Sequence, residues 1–139
     1  TIIDKFGRLL HSTTFQGHSL GIAAALSAQK IIHQNKTLKN INNQGDYLRQ
    51  ILSSELKDHD FFFDLRGRGL RFSMEYNCKN NNEFGLKLTD IMLRKHKILI
   101  NAKWHRVCFT PAYIITRPQC NFILDKFIKE FKDLSKSWR

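Results

Sequence analysis

The sequence predicts a single α/β domain, α+β-like, in which helices cover a small and mostly antiparallel sheet. Two observations carry this prediction. Long segments repeat apolar residues at spacings of three and four, the period of one helix face, and shorter segments alternate apolar with polar residues, as half-buried strands do. The length of 139 residues suits one domain with one hydrophobic core.

The composition excludes several other classes of protein. Hydrophobic residues make up 42% and charged residues 25% of the chain, which argues against collagen-like and largely disordered sequences. The longest apolar stretches, 21–28 and 98–100, fall far short of the roughly 20 residues that a membrane span needs, so no membrane partner is expected. Cys78, Cys108 and Cys120 match no zinc or redox motif, which predicts a reduced, cytoplasmic protein without a metal site.

The formal net charge of +11 suggests binding to nucleic acid, because clustered basic side chains bind phosphate groups. Here the basic residues are spread along the polar faces of predicted helices, and no basic run interleaves with aromatic residues as in single-strand binders. We therefore expect solvated helix faces and no nucleic-acid partner. A non-catalytic basic binding module is the alternative from a different class.

Two helices are predicted in the first part of the chain. A polar turn at Thr13–Gly17 precedes an alanine-rich and leucine-rich helix from His18 to about Ile32. A second helix is predicted from Lys36 to Lys57, and its core face consists of Leu38, Ile41, Gly45, Leu48, Leu52 and Leu56. Glycine costs about 1 kcal/mol relative to alanine inside a helix, so Gly45 indicates close packing against a neighbouring element.

A pair of antiparallel strands is predicted next. Phe61–Leu65 is expected to be a strand that leads into a turn at Arg66–Gly69, and Leu70–Tyr76 alternates with the period of two. We expect Gly67 and Gly69 to meet backbone requirements rather than to cradle a phosphate.

The remaining elements are a third helix, two short strands and a final helix. Phe84, Leu88, Ile91 and Met92 mark the core face of the third helix, which is expected to end near Lys97. The strands are predicted at Ile98–Ile100 and Arg106–Thr110 around a turn near Lys103. The final helix is expected to begin at Thr116, where Thr-x-x-Gln forms a capping box with Gln119.

Most of the usual catalytic signatures are missing from the sequence. It contains no Gly-x-Gly-x-x-Gly, no phosphate-binding P-loop, no His-Glu-x-x-His and no nucleophile elbow. The histidines have no metal-ligand spacing. No catalytic residue and no metal ligand are therefore predicted in this chain.

Three segments together resemble one enzyme family. They are His11–Leu20 with the alanines that follow, Asp64–Leu70 with its continuation to Glu75, and Phe109–Thr116. In this order and at compatible spacing, they are similar to the Thr-(Phe/Tyr)-x-Gly, Arg-Gly-x-Gly-Leu and Pro-Pro-(Leu/Tyr)-x-Ile segments of class III pyridoxal-phosphate aminotransferases, the ornithine, 4-aminobutyrate and omega-amino acid type.

The resemblance implies a fold and a reaction. Residues 1–139 would form the C-terminal small domain of a fold-type I enzyme, and residues 1–35 would supply its phosphate loop and the helix that links it to the large domain. The intact enzyme would move an amino group from an amino acid or amine to a 2-oxo acid or aldehyde. An aminomutase or decarboxylase of the same fold is the alternative.

The resemblance also implies that the catalytic lysine lies outside this chain. In the family, that lysine and the acid that pairs with the cofactor ring precede the Thr-Phe-x-Gly segment, so both would lie before Thr1. We therefore expect the chain to be the C-terminal part of a longer gene product and to have no transaminase activity by itself.

Thr13 and Thr14 are the residues that the resemblance assigns to the cofactor. Thr14 occupies the family position whose hydroxyl and backbone N–H bind the phosphate of pyridoxal 5'-phosphate in the opposite subunit of a homodimer. A phosphate needs several donors, and a threonine in a turn before a helix supplies two of them. The alternative is that both threonines only cap the helix or fill the turn.

Arg106 and Cys108 are the candidate substrate-binding residues. Many members of the family carry, at the position of Cys108, an arginine that pairs with a substrate carboxylate. Arg106 lies two residues earlier on the same strand face and is the candidate to replace it; an ordinary surface arginine is the alternative. Cys108 itself is expected to be a small pocket or core residue rather than a nucleophile.

Overall fold

The computed structural model describes residues 4, 5, 7, 12–34 and 36–138. It divides the chain into two compact units, Thr1–Asn35 and Lys36–Arg139. In the first unit, helix α1 spans Ser19–Gln34, and none of its residues is buried. This helix confirms the one predicted from His18 to about Ile32. His11, which opens the first family-like segment, lies outside the described residues.

The second unit consists of helices packed on one antiparallel sheet. The helices are α2 (Thr37–Leu56), α3 (Asn81–His96) and α4 (Arg117–Ser137), and the strands are β1 (Phe62–Arg68), β2 (Arg71–Tyr76), β3 (Asn101–Lys103) and β4 (Arg106–Phe109). The sheet has four strands in the order β1-β2-β4-β3, and every neighbouring pair is antiparallel. This architecture confirms the predicted small antiparallel sheet covered by helices.

The two faces of the sheet differ in chemistry because successive side chains of a strand point to opposite sides. One face packs against the helices and is apolar: its residues Phe72, Met74, Ala102, Val107 and Phe109 are buried. The helices add the rest of the core, with Leu48, Leu52 and Leu56 from α2, Phe84, Leu88 and Met92 from α3, and Leu124, Phe127 and Phe131 from α4. The opposite face is polar.

Helix α2 touches the turn between β1 and β2 through two glycines. A Cβ atom added to Gly45 would lie 2.1 Å from the carbonyl oxygen of Gly69, which confirms the close packing predicted for Gly45. Arg49 holds the same carbonyl, since its Nη1 donates a hydrogen bond of 2.9 Å to it. Leu38, however, is 57% exposed, so its assignment to the core face of this helix was wrong.

The turn between β1 and β2 is shorter than predicted. Strand β1 continues to Arg68, and Gly67, with φ of +126°, still pairs with Phe72. The reversal occurs at Gly69 and Leu70, where Gly69 adopts the left-handed φ of +55° that favours glycine. The two glycines therefore meet backbone requirements, as expected.

The strand predicted at Ile98–Ile100 was wrong, since β3 begins at Asn101. Lys97 ends α3 with φ of +59°. The backbone N–H of Ile98 donates to the carbonyl of Met92 at 3.1 Å, so its donor is used at the helix end and not in a strand ladder. Packing accounts for two of the three apolar residues: Ile100 belongs to the core and Ile98 packs against it, whereas Leu99 is 77% exposed.

The final helix begins where its capping residues predict. Thr116 precedes α4, and its backbone N–H donates a hydrogen bond of 2.9 Å to Oε1 of Gln119. This bond satisfies a donor outside the helical ladder and confirms the predicted capping box.

Candidate functional site

The segment before α1 is a compact turn that leaves two threonines exposed. The backbone N–H of Gln16 donates to the carbonyl of Thr13 at 3.0 Å, and that of His18 donates to the carbonyl of Phe15 at 3.1 Å. Gly17 lies in the left-handed region with φ of +79°, which favours glycine. Thr13 and Thr14 are both exposed.

Helix α1 is capped by a histidine and not by either threonine. Nδ1 of His18 accepts a hydrogen bond of 3.0 Å from the backbone N–H of Gly21, which satisfies one of the free donors of the first turn. Within the part of the chain that the structure describes, the hydroxyls of Thr13 and Thr14 make no hydrogen bond. Their donors are therefore available to an acceptor from outside this unit.

In the second unit, the polar side of the sheet forms what we call the outer face. Its residues follow from the strand register: Ser73 pairs with Cys108, Cys108 with Asn101, and Arg106 with Glu75 and Lys103. Asp64, Arg66, Arg68 and Arg71 complete it on β1 and the start of β2. Small side chains therefore lie at its centre, and long charged ones surround them.

A depression of about 490 Å³ opens on this outer face. Arg66, Arg71 and Arg106 line it together with Ser73 and Cys108. Cys108 is half-buried and the three arginines are exposed. The predicted residues Arg106 and Cys108 thus share one depression, whereas Thr13 and Thr14 belong to the first unit.

Only one of the three arginines has acidic partners. Nε of Arg66 lies 2.7 Å from Asp64 Oδ2 and 3.6 Å from Glu75 Oε1. The hydrogen bond from Arg66, followed by that from the backbone N–H of Leu65, lowers the pKa of Asp64. Arg71 and Arg106 form no ion pair within residues 36–138, so their charge is not neutralised there.

A second depression, also of about 490 Å³, begins beside Cys108 and is mostly apolar. Ile98, Leu99, Ile100, Phe109 and Pro111 are among the residues that line it. Asn101, Cys108 and Thr110 line both depressions. The half-buried cysteine therefore lies between a depression lined by three arginines and a mostly apolar one whose lining includes a single basic residue, Lys103.

Arg71 is the site residue that sequence reasoning missed. Its alternation with Ser73 and Glu75 placed it on the polar side of β2. The pairing of β2 with β4 brings Arg71 beside the residues around Cys108. These strands are more than 30 residues apart in the sequence, so no local pattern predicts that they pair.

Two kinds of feature are absent from the described ranges. No group of three or more His, Cys, Asp or Glu side chains among them has the arrangement of a metal site. No helix in these ranges is long and apolar enough to cross a membrane.

The fold is that of the fold-type I transaminases. The omega transaminase from Pseudomonas jessenii, solved in complex with PMP, superposes with a TM-score of 0.80 over 98% of this chain and 31% of its own, at 23% sequence identity. The model of the family described as aminotransferase class-III matches residues 1–131. The chain therefore belongs to the class-III aminotransferases.

Similar sequences occur in fungi and archaea. An aminotransferase of Gibberella zeae is 41% identical over 101 residues, which are 72% of this chain and 20% of that protein. The acetylornithine aminotransferase of Methanosarcina mazei is 31% identical over 124 residues, 87% of this chain and 29% of that protein. The chain thus spans less than a third of the length of these relatives.

Proposed function

We propose that this chain is the C-terminal part of a pyridoxal-phosphate-dependent aminotransferase. The intact enzyme transfers an amino group from an amino acid or amine to a 2-oxo acid or aldehyde. Residues 1–35 supply the phosphate loop and the helix that links it to the large domain, and the rest forms the small domain. The observation that carries this proposal is the exposed turn at Thr13 and Thr14 in a member of the class-III family.

The chemistry of this turn fits a phosphate group. A dianionic phosphate needs several hydrogen-bond donors, and Thr14 offers a hydroxyl and a backbone N–H at the turn before a helix. His18 caps α1, so the threonines are not needed as caps. When bound, pyridoxal 5'-phosphate supplies the electron sink that amino transfer requires. Thr14, with Thr13 beside it, holds the phosphate.

The proposed enzyme is a homodimer. Thr14 contributes its donors to the cofactor of the opposite subunit, so each site needs residues from two copies. The catalytic lysine belongs to the portion of the enzyme outside this chain, and the isolated chain is inactive. Cys78, Cys108 and Cys120 are free thiols, in keeping with the cytoplasmic location that we propose.

The outer face of the sheet contributes to the substrate site. Cys108 cannot pair with a carboxylate in the way that an arginine does. Arg106, on the same face of β4, provides the positive charge in its place. The amino donor and the oxo acceptor bind as small molecules beside these two residues.

The cofactor role of Thr14 is tested by two substitutions in the intact enzyme. Thr14→Val removes the hydroxyl and keeps the side-chain shape, and Thr14→Ser keeps the hydroxyl. Because a hydrogen bond to a charged group contributes about 1.5–3 kcal/mol, we expect Thr14→Val to weaken cofactor binding about tenfold or more. Thr14→Ser should remain close to wild type.

The control is Ser12→Ala, which removes an exposed hydroxyl from the same segment. The cofactor dissociation constant is measured by absorbance titration, and the reaction by identification of the aminated product. Unchanged affinity in Thr14→Val would refute the phosphate role. Amino transfer by the isolated chain would refute the assignment of the catalytic lysine to the portion outside this chain. A decarboxylated or isomerised product from the intact enzyme would refute the assigned reaction.

A further inference from the structure

The second unit exposes a continuous apolar surface beside its outer face. A third depression, of about 560 Å³, is lined mainly by apolar residues, among them Ile114 and Phe122. It shares Pro111 and Ile123 with the mostly apolar depression that begins beside Cys108. We give the name apolar surface to five residues that line these two depressions: Leu99, Pro111, Ile114, Phe122 and Ile123.

Three large side chains of the apolar surface are turned to solvent. Ile114 is 79% exposed, Leu99 is 77% exposed and Phe122 is 50% exposed. Single exposed apolar residues are ordinary, but residues that line joined depressions form a patch, and such patches mark interaction sites. These side chains therefore indicate a surface that a partner covers.

The segment that carries Ile114 is fixed on both sides by hydrogen bonds. Nδ2 of Asn40 donates to the carbonyl of Tyr113 at 2.8 Å and to the carbonyl of Ile115 at 3.1 Å. The backbone N–H of Ile115 donates to the carbonyl of Ala112 at 3.0 Å, and the side chain of Ile115 is buried. Ile114 is therefore presented to solvent from an ordered backbone, which lowers the entropy cost of binding a partner.

The geometry favours the rest of the intact enzyme as this partner. Cys108 lines both the depression of the outer face, where we place the substrate site, and the mostly apolar depression. A portion of the enzyme that closes the substrate site therefore lies beside the apolar surface. The chain covers 29% of the Methanosarcina mazei relative, so most of such an enzyme lies outside it. A second copy of this chain fits less well, because each copy has a net charge of +11 and the two repel each other.

We propose that an apolar segment from the portion of the enzyme outside this chain packs on the apolar surface and covers Leu99, Ile114 and Phe122. The packing is driven by the removal of these side chains from water. This inference rests on the proposed function, because it requires the longer enzyme. It does not depend on the cofactor or on the reaction, since none of the three side chains has a group that could bind a phosphate or carry out proton transfer.

The experiment compares thiol labelling in the present chain and in the intact enzyme. Leu99→Cys, Ile114→Cys and Phe122→Cys are made one at a time in both proteins, and the rate of reaction with a maleimide is followed for each peptide by mass spectrometry. Peptide-level detection separates the new thiol from the native ones, Cys78, Cys108 and Cys120. We expect each new thiol to react at least about tenfold more slowly in the intact enzyme, because labelling then requires the two surfaces to separate.

The matched control is Leu86, an apolar residue of α3 that is also exposed and lines none of the three depressions. Leu86→Cys should react at the same rate in both proteins. A second comparison uses Ile114→Asp, which should leave the melting temperature of the present chain unchanged and lower that of the intact enzyme by several degrees, because a covered carboxylate without a partner is costly. Leu86→Asp should have the same small effect on both proteins.

Two results would overturn the proposal. Ile114→Cys could react as fast in the intact enzyme as in the present chain, or its thiol could already be protected in the chain alone, to an extent that grows with concentration, which would mean that a second copy covers the surface. The two proposals can fail separately. Amino transfer by an enzyme whose Ile114→Cys thiol is unprotected would remove the docking surface alone, whereas a protected thiol in an enzyme without amino transfer would remove the assigned reaction alone.

Discussion

The contact between Gly45 and Gly69 makes Gly45→Ala the sharpest test of how the second unit is packed. Helix propensity alone predicts that alanine stabilises α2 by about 1 kcal/mol. The new Cβ atom, however, would lie 2.1 Å from the carbonyl oxygen and 2.3 Å from the carbonyl carbon of Gly69. Both are backbone atoms, so the helix or the β1-β2 turn must move.

The steric cost exceeds the gain in propensity. Overpacking a tight core costs typically about 1–3 kcal/mol, and the shift also disturbs the 2.9 Å hydrogen bond from Arg49 to the Gly69 carbonyl. We therefore expect Gly45→Ala to lower the free energy of unfolding by about 1–3 kcal/mol, after the gain in helix propensity is subtracted and the weakened hydrogen bond is added. The measurement is urea unfolding followed by circular dichroism at 222 nm.

The control is Asn43→Ala, at an exposed position of the same helix. It gains helix propensity without a steric contact and should be neutral or slightly stabilising. A Gly45→Ala chain as stable as the wild type would show that α2 does not approach the turn as closely as the structure has it.

Three other predictions concern buried polar groups and a helix end. Nδ1 of His59 accepts a hydrogen bond from the Phe61 backbone N–H, and burial lowers the pKa of this histidine, so the folded state holds the neutral ring. The stability of the wild type should therefore decline as the pH falls below 6.5, because the unfolded chain takes up a proton that the folded chain does not. Urea unfolding at pH 5 and pH 7 should show a smaller decline for His59→Gln than for the wild type. Burial alone would raise the pKa of Glu130, but hydrogen bonds from Lys95 and His96 leave it lowered. Glu130→Gln should therefore cost about 1–3 kcal/mol near neutral pH, measured by urea unfolding. This cost should shrink progressively as the pH falls below 4.5, because the wild type then loses the same stabilisation. Thr116→Ala removes the capping side chain of α4 and should lower the melting temperature through a loss of about 1 kcal/mol, whereas an unchanged melting temperature would contradict its role.

Most of the fold was predictable because its signals are local. The apolar spacing of α2, the alternation in β2 and the Thr116 capping box each act within a few residues, and each was confirmed. The errors arose where contacts with distant parts of the chain decide the structure. Ile100 lies in the core and Ile98 packs against it, which gives the segment its apolar character. The N–H of Ile98, however, is used by the end of α3.

The candidate site was only partly predictable. Arg106 and Cys108 were singled out by their place just before the family-like segment Phe109–Thr116, and the structure puts them in one depression. Arg71 lies in a different segment and joins them only through the pairing of β2 with β4. Such pairing depends on the packing of the whole unit, so no local pattern predicts it.

The proposed role of Thr14 across the dimer is tested most directly with mixed dimers of the intact enzyme. One subunit carries Thr14→Val, and the other carries a substitution of the catalytic lysine that we place outside this chain. If Thr14 binds the phosphate of the opposite subunit, one site of the mixed dimer is complete and binds the cofactor with wild-type affinity. If that site instead keeps the weakened affinity of Thr14→Val, the threonine acts within its own subunit or not at all, and our account is contradicted.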